Sequence, residues 1–253
     1  MRNFVIFLLI ISSGFLAIFA AITFLRRKVS AKSSLFLSGC LLSLTIYSFG
    51  YALELSSNSL SQIMFWVRFE HFGIQTAAPF WFLFTLHQTG NGKWISKRRI
   101  YLLFVIPVFV ILAALTLGGF NVLHKNPRFT WIGPFPIFSY DFTVLMVVSV
   151  IYLSSLLIIS TLLFTKLIVS TSPELRRQSV LIWASSFVPW ISGLLYVFGL
   201  SPSGLDLAPF GCIVTALIVA VGLFKRNMLT LVPLARDVIF DGMRDGVLVM
   251  NQL

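Results

Sequence analysis

The run from Phe65 to Phe84, FWVRFEHFGIQTAAPFWFLF, places Arg68, Glu70, His71 and Gln75 inside an otherwise apolar stretch. A guanidinium, a carboxyl, an imidazole and an amide in one segment can recognise a polar ligand or form ion pairs. In a hydrocarbon slab each ionisable group costs about 2 to 3 kcal/mol or more unless it faces protein, water or a partner. A helix turns about 100° per residue, so Arg68, His71 and Gln75 share one face and Glu70 points about 200° away from Arg68. Arg68 and Glu70 therefore cannot pair along their own helix, and each needs a partner from another segment. Glu54, His124, Asp141 and Asp206 fall at the ends of neighbouring apolar stretches and are the candidates. Two readings fit this set. In one, Arg68, Glu70, His71, Gln75, His124, Asp141 and Asp206 line a water-accessible, ligand-binding vestibule in which Asp206 or Asp141 counters Arg68. In the other, the charges form a structural ion pair that fixes helix order and binds nothing.

Other chemistry finds no support in the sequence. No lysine lies between Leu205 and Phe224 to carry a retinal Schiff base, and neither H-E-x-x-H nor a Gly-rich phosphate loop occurs. No spacing pairs His71 with a serine as a catalytic dyad, and His87 stands alone at the end of its stretch. Cys40 and Cys212 both sit inside apolar segments, which argues against a disulfide framework or a thiolate metal site and for small packing residues. The expectation is a chain without a catalytic residue, metal or cofactor of its own.

These residues must be positioned by membrane helices. Of 253 residues, 58% are hydrophobic and 11% charged, with a mean hydropathy of +0.95, where a soluble domain carries about 25% charge. A soluble globular domain, a disordered chain and a disulfide-stapled secreted module are excluded. The net charge of +11 does not point to nucleic acid, because Lys and Arg fall in short clusters between apolar runs. Apolar stretches cover residues 4–25, 34–53, 63–87, 100–119, 142–167, 180–200 and 206–223, and about 20 residues suffice to cross a core roughly 30 Å thick. The first run is longer than the apolar core of a signal peptide, about 7 to 15 residues, and Arg26, Arg27 and Lys28 follow it directly. The expected fold is an all-α membrane protein, a bundle of seven transmembrane helices.

Charge bias predicts the orientation. Fifteen Lys and Arg fall on the side of the loops after the first, third and fifth spans and of the C-terminal tail, against Arg2, Lys125 and Arg128 on the other. The positive-inside rule then puts the N-terminus outside and the C-terminus in the cytoplasm. Trp66 and Trp131 fall near the outer interface and Trp94 near the inner one, as amphipathic rings prefer. Pro79 and Pro189 lie mid-span and predict kinks, read either as hinges or as plain helix shape. Ala208, Cys212, Ala216 and Ala220 recur every fourth residue, a stripe that permits close helix approach within one bundle or between two copies.

After Arg226 the sequence reads NMLTLVPLARDVIFDGMRDGVLVMNQL. Val232, Ala235, Ile239 and Gly242 form a short heptad-like seam suited to pairing two copies as a signalling helix. Gly246 and the following VLVM read as a strand without a partner, as at the edge of a further domain.

Several of these stretches together resemble the seven-span N-terminal region of bacterial and archaeal sensor histidine kinases, where it precedes PAS, kinase or diguanylate cyclase modules. The likeness is carried by FEHFGIQTAAPFWFLFTLHQTG in the third span, Asn121 and His124 in NVLH, and Gln178 in LRRQ. Asp206 and Pro209 in LDLAPF, then Val232, Pro233 and Arg236 in LVPLAR with DGVLVM, complete it. The resemblance implies a sensor bundle over residues 1–226 and a cytoplasmic signalling linker over 227–253, with Val232, Pro233, Arg236 and Ile239 coupling it to a PAS, kinase or cyclase output. It also implies a small-molecule or lipid stimulus, a multi-pass location in the cell membrane and a homodimer. No histidine follows His124 to serve as a cytoplasmic phosphoacceptor. The rival expectation is a small-solute transporter, against which stands the clustering of polar residues at one end of the third span and the lack of an internal repeat.

Overall fold

In a bilayer a spanning segment must satisfy its own backbone, so apolar runs of this length become helices. The computed structural model describes residues 1–25, 31–116, 121–170 and 173–226. Seven long helices fill them: α1 (Arg2–Leu25), α2 (Ala31–Ser56), α3 (Leu60–Gln88), α4 (Lys97–Leu115), α5 (Val144–Ser170), α6 (Pro173–Val197) and α7 (Ala208–Arg226). Each coincides with one of the expected spans. Five are long and apolar enough to cross a membrane, and Ala208–Val221 in α7 is a shorter apolar helix. α3 is the polar one, and it can be because it is enclosed: it packs on α2, α4 and α5.

Local chemistry fixes the ends. Ser59 caps α3 by accepting from the Gln62 backbone N–H at 3.4 Å, and Ser96 caps α4 by accepting from that of Arg99 at the same distance. Within the spans, the hydroxyls of Thr23, Thr45, Thr85 and Thr161 donate to carbonyls one turn earlier, so they enter the bundle without an orphaned polar group.

The core towards the α3–α4 connection is apolar and built from Leu16, Phe19, Leu37, Trp81, Phe84, Phe164 and Ile182. Cys212, Ala216 and Ala220 are buried, Ala216 and Ala220 in this same core, so the small-residue stripe of α7 serves packing within the chain. Pro79, Pro107 and Pro189 lie inside α3, α4 and α6. At Gly211 an added Cβ would stand 2.9 Å from Pro189 Cα, so α7 passes close to α6 beside its proline.

The opposite end carries an element outside the expected spans. Strands β1 (His124–Ile132) and β2 (Phe135–Phe142) form an antiparallel hairpin, with Gly133 at φ +59° in the two-residue turn between them. Phe135 packs on Leu9, Tyr51 and Leu55, and Phe138 on Ile63 and Val67, so the hairpin lies over the ends of α1, α2 and α3. Arg2 joins the parts. Its guanidinium donates to the Leu55 carbonyl at 2.8 Å and the Ser56 carbonyl at 2.6 Å, placing a cation on the C-terminus of α2, and it sits 5.2 Å from the centre of the Trp131 ring.

α2 and α3 approach most closely through glycine. A Cβ at Gly73 would collide with the Ser43 carbonyl and stand 2.6 Å from the Tyr47 backbone nitrogen, atoms that cannot rotate away. Gly73→Ala should therefore destabilise the protein by about 1 to 3 kcal/mol, visible as a lower thermal unfolding midpoint in detergent. Gly14→Ala, where nothing lies within 4 Å, should cause no such loss.

Candidate functional site

Beneath the hairpin lies a chamber of about 400 Å³ walled by α2, α3, α5, α6, both strands and the turn before α7. α2 contributes Tyr47, Tyr51 and Glu54, which the spacing of four and three residues sets on one face. α3 contributes Val67, Glu70, His71 and Ile74, β2 contributes Phe138 and Tyr140, α6 contributes Gly193 and Tyr196, and Asp206 closes the ring. Three carboxyl groups and four phenol rings thus face one space.

Glu54 and Glu70 face each other across the α2–α3 interface, both in the wall of the chamber. Gly50 makes this possible, since a Cβ there would lie 2.5 Å from Glu70 Cγ. Glu70 Oε1 has no hydrogen-bond partner although Glu70 is 4% exposed, and His71, at 2%, leaves both ring nitrogens without one. Asp206 is bound on three sides. It accepts from the Tyr47 hydroxyl, accepts from the Ala208 backbone N–H at 2.9 Å, and its own backbone N–H donates to the Tyr51 hydroxyl at 2.7 Å. Burial raises its pKa above the ordinary carboxylate value, and the Tyr47 and Ala208 hydrogen bonds oppose that shift.

Of the seven expected site residues, Glu70, His71, His124 and Asp206 come together here. Gln75 is buried one turn deeper, where it accepts from the Ser149 hydroxyl of α5 at 2.9 Å. Arg68 is half-buried and absent from the wall. Asp141, expected to open the fifth span, is a β2 residue instead: it is paired with Arg128 across the hairpin surface and accepts from Asn126 Nδ2 at 2.8 Å. Those partners, Asn126 first, hold its carboxyl below the usual value. The anticipated pairing of Arg68 with Asp206 or Asp141 does not form, because a partner next to Asp141 in the sheet and two tyrosines beside Asp206 take their place. Glu54, expected just after its span, belongs to the last turns of α2.

A family described as the N-terminal 7TM region of histidine kinase matches residues 6–233. The chain belongs to that family. It is a multi-pass membrane protein of the sensor-region type that precedes kinase output. Among curated proteins and among solved structures nothing matches. The coupling residues Val232, Pro233, Arg236 and Ile239 lie outside the described residues.

The 7TM region holds a second chamber, of about 220 Å³, whose wall shares Tyr47, Ile74 and Ala208 with the first. Leu37, Leu41, Leu44, Trp81, Leu157, Val219 and both cysteines make it almost wholly apolar. Among the described residues no three His, Cys, Asp or Glu side chains converge as a metal ion would require. The tyrosines were missed in sequence, although Tyr47, Tyr51 and Glu54 share a visible helical spacing; Tyr140 and Tyr196 are gathered only by the fold.

The hairpin's seat depends on His124. Its ring stands 5.1 Å from that of His71, 4.3 Å edge-on from Tyr140 and 5.7 Å from Phe138. Burial, reinforced by His71, pushes its pKa from 6.5 down to about 3. A histidine depressed in the folded state binds fewer protons folded than unfolded between those values, so its seat is stable above 6.5 and weakens as pH falls towards 3. Exchange of hairpin amides, corrected for intrinsic rates, should therefore rise relative to α3 amides between pH 7 and pH 5. In His124→Phe that acid-dependent difference should shrink; an unchanged pH profile would refute the role.

Proposed function

We propose that the chain is a receptor for a stimulus that enters the polar chamber from the hairpin side, taken as the outer face, and passes its effect to a cytoplasmic histidine kinase or diguanylate cyclase output. The observation that carries this reading is Asp206. It stands in the chamber wall and at the same time immediately before α7, tied to α2 through Tyr47 and Tyr51. α7 is the last described helix, and the segment from residue 227 follows it. A ligand that competes for Asp206 alters the link between α2 and α7, and so favours one arrangement of α7 over another. Two copies paired through the seam at Val232, Ala235 and Ile239 would convert that into relative motion of packed helices.

The transporter reading needs a polar path to the opposite face. Below the chamber lie the apolar second cavity and the apolar core around Phe84 and Phe164, which favours reception.

The test fills the chamber without a known stimulus. Gly193 faces it with only Ala208 Cβ, at 4.0 Å, near an added Cβ. In a chimera joining residues 1–233 to a kinase with a transcriptional reporter, Gly193→Phe should shift basal output at least threefold, in either direction. Val144→Phe, at a position 82% exposed, should leave it unchanged. Equal output from a folded Gly193→Phe protein would overturn the coupling.

A further inference from the structure

Resting on the receptor reading, we infer that the ligand is an amphipathic primary amine, its ammonium head held between Glu54 and Glu70 on the side of the chamber that Asp206 closes, and its aryl or short alkyl tail lodged in the apolar chamber beyond Tyr47.

The head follows from what the wall offers and what it lacks. Three carboxyl groups face the space, and among the described residues none of them forms a salt bridge with a Lys or Arg. Glu70 Oε1 is an acceptor buried without a donor. An unmet buried acceptor costs about 1 to 3 kcal/mol, more when charged. Two carboxyl groups facing one space away from water favour a cation between them, and an ammonium group supplies N–H donors to both. Four tyrosine rings around the same space suit a cation further, through their electron-rich faces. Among the described residues no Lys or Arg lines either chamber, so carboxylate, phosphate and zwitterionic amino-acid heads find no counter-charge there. The absence of a converging ligand set among the described residues turns the choice away from a metal ion.

The tail follows from adjacency. The two cavities share Tyr47, Ile74 and Ala208 in their walls, and the proposed ligand extends from its head at Glu70 past the Tyr47 ring into the second. A cavity of about 150 Å³ already admits benzene, and this one measures about 220 Å³.

The test titrates the full chain in lipid nanodiscs with 2-phenylethylamine, the neutral 2-phenylethanol, the anionic phenylacetate and the tailless methylamine, reading binding by equilibrium dialysis and thermal shift. The expected result is saturable binding of 2-phenylethylamine at least tenfold tighter than any of the other three, falling at least tenfold in Glu70→Gln. The wild-type ranking stands by itself should that variant not fold. Equal or tighter binding of the alcohol or the acid overturns the charge assignment, and equal binding of methylamine overturns the tail. Failure of all four to bind overturns the inference as a whole. Amine binding alongside a reporter indifferent to Gly193→Phe would instead sink the receptor reading and leave the site.

Discussion

The close passage of α2 over α3 is the constraint on which the rest is built. Gly73 lets the α3 backbone come against Ser43 and Tyr47, and Gly50 leaves room for the Glu70 stem. Only with the helices this near can Glu54 and Glu70 face each other in the chamber wall. Two acids in hydrocarbon would repel each other and seek water; set face to face inside protein, they become one polar unit. That unit fixes where the chamber must be, since the remaining elements can only enclose it.

Enclosure explains the hairpin. Loops over a polar chamber would leave its acceptors open to bulk water, whereas a strand pair satisfies its own backbone and still turns Phe135 and Phe138 downward onto α1–α3. Arg2 contributes at the same place by neutralising the C-terminal end of α2 while contacting Trp131. The result is a cover attached at both flanks, with His124 and Tyr140 forming its inner surface.

The helices were legible in the sequence because hydrocarbon thickness and backbone satisfaction leave little choice. All seven expected spans became helices. Glu70, His71, His124 and Asp206 were legible as polar residues that must find company. Their partners were not, because angular position on one helix says nothing about which neighbour faces it. Arg68 and Asp206 looked complementary by charge, yet Tyr47 and Tyr51 reach Asp206 instead. The hairpin was missed for a different reason. Asn126, Pro127, Pro134 and Pro136 read as loop residues, and the strand register even contains an irregularity between Lys125 and Arg128.

In the proposed mechanism stability and signalling meet at Asp206. A residue whose carboxyl accepts from Tyr47 and Ala208 and whose backbone N–H donates to Tyr51 is a firm junction, so α7 begins from a fixed point relative to α2. Such a junction cannot drift gradually under a weak perturbation; it holds or it exchanges partners. Its neighbours in the chamber include Glu70, whose Oε1 has yet to find a partner. A ligand satisfying Glu70 would thus stand next to the group that anchors the last helix, and the free energy gained at the first is available to loosen the second. Recognition and transmission then require no long chain of intermediaries, because the acceptor that lacks a donor and the junction that positions α7 belong to the same wall.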